Sequence, residues 1–151
     1  MNRFLDTSAL LKRYIPEVGT EAVDRILSGC SVYISSLTLT EAVSAFRRLW
    51  EVRRVMDERA FRDLRAHLLA DVGRGVVEVV PLTAQDVVVS LEMLDGQYLT
   101  PINALILASA VNLRRRIADL VFVSADTKLC AAAEPLMKVV NPSHNPEQRQ
   151  A

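Results

Sequence analysis

Short runs of apolar and β-branched residues alternate along this chain with longer segments of helical periodicity. The strand-like runs occupy residues 2–5, 31–35, 76–80, 120–124 and 137–140. Strands that are separated by helices are joined by crossover connections, which favour parallel pairing and leave helices on both faces of the sheet. The sequence therefore predicts a three-layer α/β fold, with a central, mostly parallel sheet of about five short strands flanked by helices.

Capping residues and helix breakers divide the intervening segments into helices. The first predicted helix begins near Thr7 and runs to residue 14, and the second covers residues 19–27. Thr38 and Glu41 have the spacing of a capping box, which predicts that the third helix begins at Thr38. The remaining predicted helix starts are Asp57, Thr83, Thr100 followed by Pro101, and Asp126.

The length of 151 residues fits one domain, which we place at residues 1–141, followed by a polar tail at 142–151 that is predicted to be disordered. No apolar run approaches the roughly 20 residues of a membrane span. Cys30 and Cys130 stand alone, outside any CxxC or zinc pattern, which predicts a reduced cytoplasmic protein without membrane contact. The formal net charge of zero excludes nucleic-acid binding through overall charge alone.

Acidic side chains follow two of the predicted strands at the point where each strand ends. Asp6 closes the first strand and Asp126 follows the fourth. Glu41 lies at the start of the helix after the second strand, and Asn103 lies in the first turn of the helix that opens at Thr100. Because ligands of parallel sheets bind beyond the carboxyl ends of the strands, we expect these three carboxylates and one amide to meet at one edge.

Clustered carboxylates repel one another, and a hard divalent cation such as Mg²⁺ or Mn²⁺ relieves that repulsion. Such an ion can activate water and neutralise charge on a phosphate, so this group of residues predicts a phosphodiesterase site. Each residue also has a plainer interpretation. Asp6 and Asp126 are favourable helix caps, Glu41 fits a capping box, and Asn103 alone is a slightly unfavourable helix residue. The hydroxyls of Thr7 and Ser124 either orient the acids or belong to ordinary turns.

Five segments in order along nearly the whole chain match a known pattern. They are residues 5–14 (LDTSALLKRY), 35–42 (SSLTLTEA), 103–110 (NALILASA), 123–129 (VSADTKL) and 139–142 (VVNP). Together they resemble PIN domains and, more closely, the VapC-type toxins of prokaryotic toxin–antitoxin pairs. The resemblance implies a PIN-like fold and a metal-dependent endoribonuclease that cuts RNA, often structured RNA such as tRNA, through a metal-bound water. It also implies a homodimer and a VapB-type antitoxin whose C-terminal segment occupies the active groove.

The resemblance assigns roles to particular residues of this chain. Asp6, Glu41 and Asp126 match the catalytic acids, and Asp6, Asn103 and Asp126 stand at the metal-binding positions, which imply Mg²⁺ or Mn²⁺. Asn103 departs from the pattern, because the family usually has Asp there. We expect this change to weaken metal binding by at least about 10-fold. The alternative is a weakened or inactive module that still binds antitoxin or RNA.

Basic side chains on two of the helices are candidate contacts for an RNA backbone. They are Lys12 and Arg13 in the first helix, and Arg47 and Arg48 in the third. A solvated helix face is the more usual explanation of such charges. A phosphoacceptor receiver domain, which also has Asp at a strand end, is disfavoured because only Asp6 ends the first strand and Lys128 lies at a helix start.

Overall fold

The computed structural model describes residues 1–144, which form seven helices and five strands. The strands are β1 (Asn2–Leu5), β2 (Ser31–Ser35), β3 (Glu78–Val80), β4 (Leu120–Val123) and β5 (Val139–Val140). The helices are α1 (Thr7–Tyr14), α2 (Thr20–Leu27), α3 (Ser36–Glu51), α4 (Glu58–Gly73), α5 (Ala84–Gly96), α6 (Pro101–Arg114) and α7 (Thr127–Ala133). None of the helices within these residues is long and apolar enough to cross a bilayer.

The five strands form one sheet in the order β3-β2-β1-β4-β5. Every neighbouring pair is parallel, and Asn2 of β1 lies opposite Ser31 on one side and Leu120 on the other. The predicted parallel α/β architecture is therefore confirmed. The strand order reverses at β1, which makes the carboxyl ends of β1 and β4 the point where a ligand crevice is expected.

Successive side chains of the central strands point to opposite faces of the sheet and divide the core in two. Phe4 and Phe122 lie on one face, where their rings stack with centroids 6.2 Å apart and pack against α6 and α7. Leu5 and Val123 lie on the other face and pack against α1, α2, α3 and α4. Burial on both faces gives the predicted three layers and fixes the register of the sheet.

The start of α3 differs from the prediction, which placed it at Thr38. The helix begins two residues earlier because Ser35, the last residue of β2, caps it by accepting a hydrogen bond from the Leu37 N–H at 3.2 Å. Glu41 consequently lies in the second turn and belongs to no capping box. The Thr38 hydroxyl is buried and has no hydrogen-bond partner within residues 1–144.

Two strands are shorter than predicted. Residues 76 and 77 do not pair in the sheet, because their N–H groups donate to the Asp71 carbonyl in the turn that ends α4. β5 contains only Val139 and Val140. In the predicted tail, Pro142 is buried and the Ser143 N–H donates to the Asn141 side chain at 2.9 Å. Residues 145–151 lie outside the described part of the chain.

Candidate functional site

Asp6 lies where β1 ends and α1 begins, beside the end of β4. Its backbone N–H donates to the Val123 carbonyl at 3.1 Å, which extends the β1–β4 pairing by one residue. Its carboxylate caps α1 by accepting from the Ala9 N–H at 2.9 Å. The hydroxyl of Ser8 donates to the same carboxylate, at 2.8 Å from Oδ1 and 2.9 Å from Oδ2. The residue is only 3% exposed, so a polar group sits at the sheet edge with almost no water around it.

Burial raises the pKa of Asp6 from 3.8 to about 6. Hydrogen bonds from Ser124, Ala9 and Ser8 oppose this rise, and the negative charge of Asp126 adds to it. At neutral pH the protein therefore holds an ionised, desolvated carboxylate next to a second one. A cation bound between them would remove this electrostatic penalty.

Asp126 reaches the same place from the loop after β4. Its Oδ1 caps α7, accepting from the N–H groups of Lys128 at 3.0 Å and Leu129 at 3.1 Å. Ser124 connects the two acids, because its hydroxyl donates to Asp6 Oδ2 at 2.7 Å and accepts from the Asp126 N–H at 3.1 Å. Within residues 1–144, Asp126 Oδ2 accepts no hydrogen bond, so this oxygen is available to a ligand.

Glu41 and Asn103 lie on two other helices, α3 and α6. The Thr7 hydroxyl, one residue after Asp6, donates to Glu41 Oε1 at 2.6 Å. Asn103 is half-buried in the first turn of α6, and its backbone N–H is bound by the Thr100 cap at 3.3 Å. The Asn103 amide forms no hydrogen bond with any residue from 1 to 144, which leaves its carbonyl oxygen free. α6 packs against β2, β4, α3 and α7. Of these elements, α3 carries Glu41 and α7 is capped by Asp126.

The acids form a pair and a separate carboxylate, not a compact triad. No three His, Cys, Asp or Glu side chains within residues 1–144 lie close enough together to hold a metal ion. The physical reason lies in two positions: Asn103 supplies an amide where a further acid was expected, and Thr7 holds the Glu41 carboxylate. The donor set still suits a hard cation, because Asp6, Asp126 and Asn103 all offer oxygen ligands.

The four basic residues singled out in the sequence lie in different surroundings. Lys12 is buried, and its Nζ donates to the Val18 carbonyl at 2.6 Å and pairs with Glu17 at 3.4 Å. Its ammonium therefore binds the turn that follows α1 and is not an exposed cation. Arg13 faces the buried Asp71 at 3.6 Å.

The two α3 cations are exposed. Arg47 pairs with Glu51 and lies over the Trp50 ring at 5.1 Å. Arg48 stands seven residues beyond Glu41, which is about 10 Å along the helix at 1.5 Å per residue. Both cations are therefore offset from the acids along α3.

Two residues that support the acids were not predicted. Ser8 binds both oxygens of Asp6 and accepts from the Ala125 N–H at 2.9 Å, so it ties the two site loops together. Cys130 donates from Sγ to the Ser124 carbonyl at 3.2 Å, and burial raises the pKa of its thiol to about 11. The position of Ser8 two residues after Asp6 was the sequence feature from which its hydrogen bond to that carboxylate could have been predicted. Cys130 lies four residues after Asp126, on the same side of α7. This spacing was the sequence feature from which its place beside the site could have been predicted.

Solved structures of toxin–antitoxin proteins share this fold at low sequence identity. FitAcB from Neisseria gonorrhoeae is 19% identical, with a TM-score of 0.70 over 95% of this chain and 99% of that chain. VapBC2 from Rickettsia felis, bound to a DNA fragment from its promoter, is 16% identical, with a TM-score of 0.63 over 93% and 98%. The sarcin-ricin loop cleaving toxin VapC20 from Mycobacterium tuberculosis is 21% identical, with a TM-score of 0.61 over 86% and 94%. No curated protein matches this sequence.

The sequence itself matches the PIN domain over residues 3–135. PIN domains are generally nucleases and typically use divalent metals. The matched range begins in β1 and ends after α7, so it contains all four of the predicted site residues, Asp6, Glu41, Asn103 and Asp126. The extent of this match, together with the parallel five-stranded sheet, shows that the chain belongs to the PIN domain family.

Proposed function

We propose that this protein is a VapC-type toxin, a divalent-metal-dependent endoribonuclease that hydrolyses RNA phosphodiester bonds. One observation carries the proposal: the buried Asp6 and the half-buried Asp126 stand on either side of the switch point between β1 and β4, joined by Ser124. Two carboxylates held together in a place poor in water are costly unless a cation binds there. Because the chain belongs to a family of nucleases, we infer that this cation is a catalytic metal ion.

The ligands in this proposal are Asp6, Asp126 Oδ2 and the Asn103 carbonyl, and the ion is Mg²⁺ or Mn²⁺. When bound, the ion supplies charge for the phosphate and lowers the pKa of water. Ser8 and Ser124 keep the Asp6 carboxylate in one orientation through their hydroxyl hydrogen bonds. Thr7 occupies Glu41 Oε1, which leaves Oε2 to accept a proton from the attacking water.

RNA as substrate and an antitoxin as partner are supported by the kind of protein that shares the fold. One such protein cleaves the sarcin-ricin loop, and others are solved as VapBC or FitAcB complexes. We infer a VapB-type antitoxin whose C-terminal segment enters the groove at Asp6 and Asp126, and a cytoplasmic setting in which RNA is reached. Candidate backbone contacts are the exposed Arg47 and Arg48, and the partly exposed Arg13.

A homodimer is part of the proposal and is supported by the exposed face of α5. Val87, Val88 and Leu91 are 44%, 54% and 58% exposed, and Leu94 is 37% exposed. Residues 87, 91 and 94 recur at helical spacing, so they form one apolar stripe. A stripe of this kind on a small protein marks a surface that binds protein.

A second candidate function follows from Asn103. Its amide keeps the shape of an aspartate side chain but carries no charge, so the site has one negative charge fewer than the family pattern. The alternative is a PIN module that binds antitoxin or RNA and turns over slowly or not at all.

The test is cleavage of an RNA panel with Mg²⁺ or Mn²⁺ by the parent chain and by Asp126→Asn. Asn retains a capping oxygen for α7, so the variant is expected to fold and to lose at least about 100-fold in rate, as for loss of a group that stabilises charge in the transition state. Asp57→Asn is the matched control, because Asp57 is an exposed cap of α4 away from the site. Equal activity of the parent and Asp126→Asn would refute the nuclease assignment.

Asn103→Asp separates the two candidate functions. If the parent does not cleave RNA and Asn103→Asp does, the parent is the binding module. If both cleave, Asn103 is a working ligand. Cleavage by neither protein, with intact folding and bound metal, contradicts the nuclease proposal for this chain.

A further inference from the structure

Tyr98 and Lys128 form a pair of side chains that the proposed chemistry does not use. The Lys128 Nζ lies 5.3 Å from the centroid of the Tyr98 ring. Tyr98 is 73% exposed, and Lys128 is exposed as well. The tyrosine therefore contributes little to the core, and most of its ring surface faces water. A cation over an aromatic face holds both groups in a defined arrangement.

The pair connects the segment before α6, the helix that carries Asn103, with the first turn of α7, which Asp126 caps. Lys128 is in the first turn of α7, two residues after Asp126, so their Cα atoms are at most about 8 Å apart, since consecutive Cα atoms are about 3.8 Å apart. Tyr98 stands two residues before Thr100, the cap of α6, and Asn103 lies in the first turn of that helix. The contact between Tyr98 and Lys128 therefore joins the N-terminal ends of α6 and α7, which carry Asn103 and Asp126.

Tyr98 and Lys128 offer two interactions with RNA that the acids do not, namely attraction of a phosphate and stacking on a base. Asp6 and Asp126 repel a phosphate, whereas the Lys128 ammonium attracts one. A tyrosine ring stacks on the face of an unpaired base, and such stacking tolerates any base because each has an aromatic face. Bases inside a duplex are already stacked on their neighbours and do not present these faces.

We propose that Tyr98 and Lys128 form a substrate-binding subsite, in which the tyrosine stacks on an unpaired base next to the cleaved phosphate and the lysine binds that nucleotide's phosphate. The inference rests on the proposed function and narrows its substrate class to RNA with an unstacked nucleotide, in a loop, a bulge or a single strand. The protein recognises this nucleotide by its exposed aromatic face and its charge, without reading its sequence.

Binding is measured by fluorescence anisotropy without divalent metal, so that no RNA is cut. The probes are a short labelled single-stranded RNA and the same strand in a blunt duplex. The variants are Tyr98→Ala, Tyr98→Phe, Lys128→Ala and, as a matched control, Lys138→Ala, which removes an exposed lysine from before β5. A fluorescent base analogue in the single strand reports stacking directly.

We expect Tyr98→Ala to weaken single-strand binding about 10-fold, and Tyr98→Phe to stay within about 2-fold of the parent, because the ring supplies the stacking. Duplex binding stays unchanged in both variants. Lys128→Ala lowers the slope of log affinity against log salt by about 0.7, the value for one phosphate contact in a single strand. Lys138→Ala leaves that slope unchanged.

The subsite is refuted if Tyr98→Ala and Tyr98→Phe bind the single strand equally well, if both RNA probes lose affinity together, or if the parent binds neither probe. A change of oligomeric state in Tyr98→Ala with unchanged RNA affinity assigns the tyrosine to a protein interface instead.

Cleavage kinetics separate this inference from the nuclease proposal. If the parent cuts RNA and Tyr98→Ala raises neither KM nor duplex tolerance, the subsite fails while the nuclease stands. If binding depends on the Tyr98 ring but no variant cuts RNA, the subsite stands while the nuclease fails.

Discussion

At the scale of single residues, the site acids have a structural task as well as a chemical one. Asp6 caps α1 and Asp126 caps α7, so the plain interpretation of both as helix caps is correct. Capping uses Asp126 Oδ1 and leaves Oδ2 free, whereas the Asp6 carboxylate is surrounded by donors and is almost fully buried. Asp126 can therefore cap α7 and bind a metal at the same time. The repulsion between the two carboxylates and the loss of water are felt mainly at Asp6, whose pKa is raised.

We predict that Asp6→Asn stabilises the metal-free protein at about pH 8. The folded-state pKa of Asp6 is raised to about 6, so folding favours the protonated acid, and parent stability falls as the pH rises from 3.8 through about 6. A shift of this size corresponds to about 3 kcal/mol at most, and we expect a gain of about 1–3 kcal/mol.

Urea unfolding of Asp6→Asn and of the control Asp57→Asn across this pH range measures the effect. Only Asp6→Asn should lose the fall in stability between about pH 4 and 6, and it should also lose stabilisation by added Mn²⁺. Identical pH profiles for the two variants would contradict the buried charge.

We predict that Asn103→Asp raises Mn²⁺ affinity at least about 10-fold at neutral pH, because it adds a charged ligand to the Asp6–Asp126 pair. Isothermal titration calorimetry of each protein with Mn²⁺ measures this affinity. Gln97→Glu is the matched control, since it adds the same charge at an exposed position in the loop before α6. If both variants gain affinity equally, general charge and not coordination explains the effect.

At the scale of the elements, α3 is entered without a connecting loop. β2 ends at Ser35 and α3 begins at Ser36, so the strand's last side chain serves as the cap. This junction moves Thr38 from a capping position into the buried first turn, where its hydroxyl finds no partner within residues 1–144. The same shift places Glu41 in the second turn, where Thr7 of α1 reaches its carboxylate.

We predict that Thr38→Val stabilises the protein by about 1 kcal/mol, because it removes a buried hydroxyl that lacks a hydrogen bond and keeps the side chain's shape. This change raises Tm by about 2–4 °C in a chain of this size. Thr40→Val is the control on the same helix, because Thr40 is exposed. A decrease in Tm for Thr38→Val would show that the hydroxyl has a partner in solution.

At the scale of the whole molecule, the two faces of the sheet are covered differently. α1 to α4 cover one face, and α6 with α7 covers the other, while α5 packs on α6 and keeps apolar residues in water. Among residues 1–144, nothing covers the exposed apolar side chains of α5. Covering them with a second copy would remove that apolar surface from water.

We predict that Leu91→Glu converts a dimer to a monomer, because it places a charge in the centre of the α5 stripe. Light scattering coupled to size exclusion measures the mass. Val55→Glu is the control, as Val55 is 66% exposed in the segment between α3 and α4. A parent that is monomeric at all concentrations would contradict the proposed homodimer.

Sequence reasoning located the sheet, five of the helix caps and the two acids at the strand ends, because these depend on local pattern and on the parallel connection rule. It missed Ser8, whose bonds to Asp6 and Ala125 exist only once two distant loops meet. It misassigned Lys12 for a similar reason: the Val18 carbonyl that receives its ammonium comes from a turn whose path the sequence does not specify. Contacts made by long side chains depend on the packed structure.

The free amide of Asn103 has a consequence for how this protein tolerates mutation. Asp6, Asp126 and Glu41 each accept hydrogen bonds from the scaffold, so truncating any of them to alanine removes these bonds together with the carboxylate. The Asn103 side chain makes no such bond within residues 1–144, and it can change without weakening the scaffold. A substitution at Asn103 is therefore expected to alter metal binding while the fold and the hydrogen bonds of Asp6, Glu41 and Asp126 are retained.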